Sequence, residues 1–297
     1  MLHKNSDDAH ELERILEQAW YTRQANFDAS IVFNSPGKTV SVSVTGSSCA
    51  LNCAHCAGVY LRAMVPLEKA LDNYKNWEEG TSFLISGGSD ALGKVPLVEH
   101  LDRLRELAEL GPLNLHTGLV TEEEAKKLAG IAAVVSFDLV GDNETIAEVY
   151  GLSATVEDYL ASYRALQKYA RVIPHLCIGL KGGKIKGEYE ALHLLRKEKV
   201  EAISMIIFRP TAETPYSDCP PPPPAEVGYF MASARLMFPH TPIYLGCMRP
   251  GGHYREVIDT YAIRAGVNKI VLPSPAARKE AARLGLSIKT SEECCSL

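Results

Sequence analysis

Cys49-Ala-Leu-Asn-Cys53-Ala-His-Cys56 sets three thiols close together along the chain. Closely spaced thiolates suit a soft metal or an iron–sulfur cluster. A closed structural zinc site wants a fourth nearby Cys or His and usually pairs two such knuckles. His55 is adjacent, but so tight a turn keeps it from joining the same metal. Three ligands on a 4Fe–4S cluster leave one iron open to an outside ligand, which an enzyme needs and a structural site does not. The other cysteines are Cys177, Cys219, Cys247, Cys294 and Cys295. In a cytosolic chain so many thiols point to metal or redox chemistry rather than a disulfide framework. Cys177 reads equally well as a small buried hydrophobe.

The elements that must position these residues alternate. Short apolar, β-branched runs lie at Thr39–Thr45, Ser82–Ser86, Leu113–Thr117, Ala133–Phe137, Val172–Gly179, Ala202–Phe208, Pro242–Gly246 and Lys269–Pro273. Amphipathic stretches separate them, among them Pro66–Glu79, Val95–Leu110, Thr121–Ala129, Val156–Tyr169, Tyr189–Glu198, Ala225–Phe238 and Tyr254–Ala265. Strands joined by helix-length connections imply right-handed βαβ units and a parallel sheet. Eight strands predict an α/β fold of the (β/α)8 TIM-barrel type, full or near-full, with a partial six-stranded barrel as the alternative. Residues 1–35 read as a helical extension with an apolar stripe of Leu12, Ile15, Leu16, Ala19 and Trp20. The barrel spans 36–285, and 286–297 form a tail. Pro220–Pro224 read as a rigid loop feeding the next helix, or as an imitation of a polyproline ligand. Net charge is −5, with 46% hydrophobic and 23% charged residues. That balance suits a globular enzyme and speaks against nucleic-acid or membrane-surface partners. With no signal-like or membrane-length apolar run, the chain reads as cytoplasmic.

The cysteine spacing resembles the signature of the radical S-adenosylmethionine (SAM) superfamily. In that family the open iron chelates the amino and carboxylate groups of SAM. One electron from the cluster then cleaves the sulfonium, releasing methionine and a 5′-deoxyadenosyl radical that abstracts a hydrogen atom. Two further strings sit in the family's order. Ser86-Gly87-Gly88-Ser89-Asp90 resembles the Gly-Gly-Glu motif that receives the SAM amino group, with Ser89 replacing the acidic residue. Gly183-Lys-Ile185-Lys-Gly187-Glu-Tyr-Glu190 fits the GxIxGxxE pattern, in which the apolar residue packs on adenine. By the same resemblance His55 lies near the adenine and Asp138 binds the ribose. Asp142 is a second strand-end carboxylate whose plain role is a helix cap. His116 points to the barrel mouth or is a satisfied core histidine.

Two later segments, Phe208-Arg-Pro210-Thr-Ala-Glu-Thr214-Pro215 and Tyr244-Leu-Gly-Cys247-Met-Arg249-Pro250, resemble biotin synthase-like enzymes. The terminal Cys294-Cys295-Ser296-Leu297 adds a vicinal thiol pair whose bland reading is a reducing tail or metal scavenger. Together with Cys247, and with Cys219 or Ser296 as fourth ligand, the pair would hold an auxiliary 4Fe–4S cluster. This pattern resembles the components of two-protein lipoyl synthases. It implies sulfur insertion into an octanoylated carrier protein, a second radical SAM subunit, and an electron donor such as flavodoxin or ferredoxin. Another biotin synthase-like reaction (mutase, methylase or cofactor maturation) is a second reading, and an iron–sulfur electron-transfer or scaffold protein a third. Arg209, Arg249 and Arg255 read as cluster or acidic-surface contacts, or as rim salt bridges.

Overall fold

The computed structural model describes residues 2–72 and 81–297. Its strands are β1 (Ser30–Asn34), β2 (Thr39–Ser43), β3 (Val65–Pro66), β4 (Ser82–Ser86), β5 (Leu113–His116), β6 (Val134–Asp138), β7 (Val172–Ile178), β8 (Ile203–Ile207), β9 (Ile243–Leu245), β10 (Lys269–Val271) and β11 (Ser287–Ser291). All pair in parallel in one curled sheet, ordered β11-β1-β10-β9-β8-β7-β6-β5-β4-β2-β3. Helices connect consecutive strands along β4 to β11, as parallel pairing requires. The result is the TIM-like α/β architecture expected from the alternation.

Three strands extend the eight anticipated. The helix of the leading segment runs Leu2–Asn26, and residues 30–34 enter the sheet as β1, so the extension is not helical through residue 35. The tail likewise begins with β11, which pairs β1 over its whole length. Ser-Ile-Val-Phe-Asn is short but strand-like, buried and paired with β10 as well as β11, whereas Ser-Ile-Lys-Thr-Ser is exposed with one apolar residue and takes its strand state from pairing with β1. The helix expected over Pro66–Glu79 is described from Leu67 to Asp72; its remainder lies outside the described residues.

Outside the sheet, the apolar stripe of the first helix is buried at Leu12, Ile15, Leu16 and Ala19. That helix packs on Pro224–Met237 and Gly252–Arg264. Inside, side chains follow the two-residue period of strands. His116, Asp138, His175, Cys177 and Ile206 face one central cavity. Below them Val134, Ile173 and Ala202 form a small apolar floor of their own, packed with Tyr244 and Leu297.

Leu297 reaches that floor because residues 292–297 turn into the barrel. Ser35 N–H donates to Ser291 O (2.8 Å) and Lys38 N–H to Glu292 O (3.0 Å). Asn34 Nδ2 donates to Glu293 O (2.6 Å), Cys294 N–H donates to Thr39 Oγ1 (2.7 Å), and Ser82 Oγ donates to the Glu293 carboxylate. β1 and β2 do not pair with each other, and the tail bridges the seam between them. No described helix is long and apolar enough to cross a membrane.

Candidate active site

The three-cysteine loop leaves β2 at the carboxyl end of the sheet, where βα loops of a barrel carry chemistry. It is tied down from three directions. Ala50 N–H donates to Ser89 O (2.8 Å), Ala54 N–H to Val149 O (2.7 Å), and Tyr216 N–H to Ala54 O (3.1 Å). Within it, Cys56 and Ala57 N–H groups both donate to Cys53 O, and Asn52 and Ala57 hold positive φ of 48° and 43°. Non-glycine residues in that region cost free energy that the surrounding contacts must offset.

All three thiols line the cavity. Cys56 is pulled below the usual thiol range, first by a hydrogen bond from Cys53 and then, against burial, by His55 and the Gly58 N–H. Cys53 is raised correspondingly by the same bond, by burial and by the neighbouring thiols. His55 stacks edge-on against Tyr150 at 5.6 Å, and its Nδ1 is buried without a hydrogen-bond partner. Among the described residues no three Cys, His, Asp or Glu side chains converge on a single-ion site. Three thiols lining one cavity suit a cluster that takes each on a different iron.

Gly88 explains why a glycine follows β4. A Cβ there would stand 1.9 Å from Ser48 O and 2.5 Å from Cys49 Cα, so the cysteine loop seats directly on this backbone. Gly88 N–H donates to Thr45 Oγ1 (2.7 Å). Gly87 and Ser86 line the cavity beside it. Gly187 makes a similar close approach, its notional Cβ 2.5 Å from Asp142 Cβ, and lines the same cavity. Ile185 is half-buried against the core and does not appear in the cavity lining.

Asp138 and Asp142 part company. Asp142 caps the following helix, accepting from Thr145 N–H (2.9 Å). Asp138 lines the cavity, and its carboxylate has no hydrogen-bond partner among the described residues. Burial holds His116 near 4, opposed by Asp138 and reinforced by His175, whose ring centroid is 5.6 Å away.

Glu188 was not singled out from the sequence, although the pattern ran past it to Glu190. Its buried carboxylate accepts from the N–H groups of Gly179 (2.7 Å), Leu180 (3.4 Å) and Lys186 (2.6 Å), shaping the whole β7 turn. Glu190 is exposed. The only hint was an acidic residue at the first position of a helix, which is common.

The far cysteines divide. Cys177, Cys247, Cys294 and Cys295 share the cavity with the three-cysteine loop. Cys219 does not line it and instead packs near Gly182, where a Cβ would meet its sulfur at 3.3 Å. Ser296 is fully buried and shares a 2.9 Å hydrogen bond with Ser136. Asn114 Nδ2 donates to Cys294 Sγ (3.2 Å), and Lys269 Nζ donates to Cys295 O (2.7 Å). Cys294 is held near 6, first by a hydrogen bond from Cys295 and then, against burial, by the Ser296 N–H and Asn114.

Arg249 is committed to structure. It pairs with Asp259 at 2.9 Å, both side chains fully buried, and donates to Gly246 O and Leu272 O. Arg255 donates to Arg249 O (3.3 Å). Arg209 lines the cavity.

No family model matches this chain, and no curated protein does. Solved structures do. The chain has the fold of methylornithine synthase. Against that enzyme (PylB) the TM-score is 0.66 at 14% identity, covering 94% of this chain and 89% of the other. HydG, a maturase of the FeFe-hydrogenase, gives 0.68 at 16% identity over 94% of this chain and 68% of its own. HydG from Carboxydothermus hydrogenoformans gives 0.65 at 17% identity, covering 88% and 63% respectively. At these identities the likeness is one of fold.

Proposed function

We propose that this protein is a radical SAM enzyme. The observation that carries the reading is the seating of the Cys49–Cys56 loop on Gly88 at the carboxyl end of the sheet, with all three thiols lining one cavity. The residues fit the group: three thiol donors, with Cys56 pulled below the usual thiol range, beside a glycine backbone that nothing larger permits. When bound, the cluster supplies the electron that reductive SAM cleavage needs. The protein's part is orientation and exclusion of water. Cys49, Cys53 and Cys56 would hold the cluster, Ser86–Gly88 the amino end of SAM, and Asp138 the ribose. His55 and Tyr150 form an aromatic wall beside them.

The finer reading is sulfur insertion into an unactivated C–H bond, as in a lipoyl synthase component. Its support is that Cys247, Cys294 and Cys295 open into the same cavity as the first three thiols. They would hold an auxiliary cluster serving as the sulfur source. A mutase, methylase or cofactor-maturation reaction has its support in the fold shared with methylornithine synthase and the HydG maturase.

Protein reconstituted with iron and sulfide, then mixed with SAM and a strong reductant, should release 5′-deoxyadenosine. If none forms, the radical reading fails. Incubation with an octanoylated carrier domain, with and without a second radical SAM protein, should give a mass gain of sulfur if the finer reading holds.

A further inference from the structure

Among the described residues lining the cavity, Arg209 is the one lysine or arginine. Four cations that do not line the cavity are paired with carboxylates. Lys181 is bonded to Glu144 and Glu148, Lys186 to Glu144, Arg62 to Glu213 and Arg249 to Asp259. The exposed guanidinium of Arg209 has neither an ion pair nor a hydrogen bond within the described residues.

Its backbone, by contrast, is fixed. Phe208 N–H donates to Ile178 O (2.9 Å), and Thr211 Oγ1 donates to Arg209 O (3.1 Å). Thr211 is in turn hydrogen-bonded to Tyr60, another cavity residue, at 2.5 Å. Apolar lining residues lie on the elements next to Arg209: Ile206 on β8, three residues before it, Leu180 after β7, and Met248, whose carbonyl accepts from Ile207 N–H at 2.9 Å. The cavity's free carboxylate, Asp138, stands two strands away, about 10 Å by strand spacing. A planar fork of donors with no counter-charge, on a rigid base and next to apolar lining residues, matches the carboxyl end of an aliphatic ligand.

We propose that Arg209 fixes the carboxyl-type oxygen at the head of an aliphatic substrate, whose chain lies along Ile206, Leu180 and Met248. Arg209 is then a specificity residue for that head group. The oxygen belongs either to a free carboxylate, which meets the charge and can accept from both arms of the fork, or to an acyl group on a carrier amide, which offers one neutral carbonyl acceptor. The proposal takes the octanoyl chain from the sulfur-insertion reading and leaves the Cys49–Cys56 side of the cavity to SAM by the radical SAM reading; failure of sulfur insertion shows separately, as no mass gain on the octanoylated carrier.

Equilibrium binding of octanoate, of an N-octanoyl-lysyl peptide and of SAM to the reconstituted protein tests it without turnover. Arg209→Gln should weaken at least one octanoyl probe by about tenfold or more, the scale of a charge-assisted hydrogen bond. SAM binding should stay within about twofold of wild type, and Arg209→Lys should recover part of the loss. Loss on octanoate alone assigns the free acid, and loss on the peptide assigns the carrier-bound chain. The proposal is overturned if neither octanoyl probe binds wild type, if Arg209→Gln binds both as wild type does, or if the loss falls on SAM. Failure of the radical reading shows separately, as absence of 5′-deoxyadenosine from wild type.

Discussion

The hydrogen bond between Cys53 and Cys56 lowers the Cys56 thiol and raises Cys53, and His55 and the Gly58 N–H lower Cys56 further. The thiolate is the reactive form of cysteine. In cluster-free protein, Cys56 should therefore be alkylated by iodoacetamide at lower pH than Cys53, as read by peptide mass spectrometry. Cys53→Ala should slow Cys56 labelling; an unchanged pH profile would contradict the role of the Cys53 hydrogen bond. His116 sets a second pH dependence. It titrates near 4 in the folded protein, against an ordinary value of about 6.5. Between those values the unfolded chain takes up a proton that the folded chain refuses, so stability falls as pH drops from about 6.5 to about 4. Urea midpoints across that window should fall less steeply in His116→Gln than in wild type.

At the scale of elements, two contacts between loops decide the site. The cysteine loop rests on Gly88 so closely that any side chain must push it away. Gly88→Ala should lower iron incorporation at the first cluster severalfold. Gly251→Ala, at a position with open space and φ of −90°, should leave it unchanged. The second contact is the tail in the seam between β1 and β2. Lys269 is buried, holds the Cys295 carbonyl, reaches Leu297 O at 3.5 Å, and lies 4.6 Å from the Tyr244 ring centroid. Lys269→Met should loosen the segment and speed alkylation of Cys295 severalfold in cluster-free protein. Equal rates would mean that the remaining bonds, those of Asn34, Thr39, Ser82, Asn114, Ser136 and Arg171 among them, suffice.

At the scale of the molecule, one cavity of about 550 Å³ collects seven cysteines from the loop after β2, from β7, from the loop after β9 and from the tail. Two cubane clusters would give about eight irons per chain, and one would give about four. The Cys294→Ser, Cys295→Ser double variant should lose about half the iron of a fully loaded wild type while still producing 5′-deoxyadenosine. No change in iron would remove the auxiliary cluster from the reading. Much of this arrangement is legible in the chain itself. The alternation of β-branched runs and amphipathic stretches specifies the parallel barrel because each period has one way to bury its apolar face. Glu188 escaped because a carboxylate that satisfies three turn amides looks, in sequence, like any acidic residue starting a helix.

The spacing of Cys49, Cys53 and Cys56 and the glycines at 87, 88 and 187 are local properties, and the sequence determines them alone. So are the helix cap at Asp142 and the stripe of the first helix, since each depends on neighbours within a turn or two. Partnership across the chain is different. Only the tertiary structure sends residues 292–297 through the seam to meet Asn114, Ser136 and Lys269, separates Cys219 from the other thiols, and leaves Arg209 unpaired while Arg249 is buried against Asp259. Those outcomes hang on hydrogen bonds and charges between residues far apart in sequence, whose distances are set only when the sheet has curled.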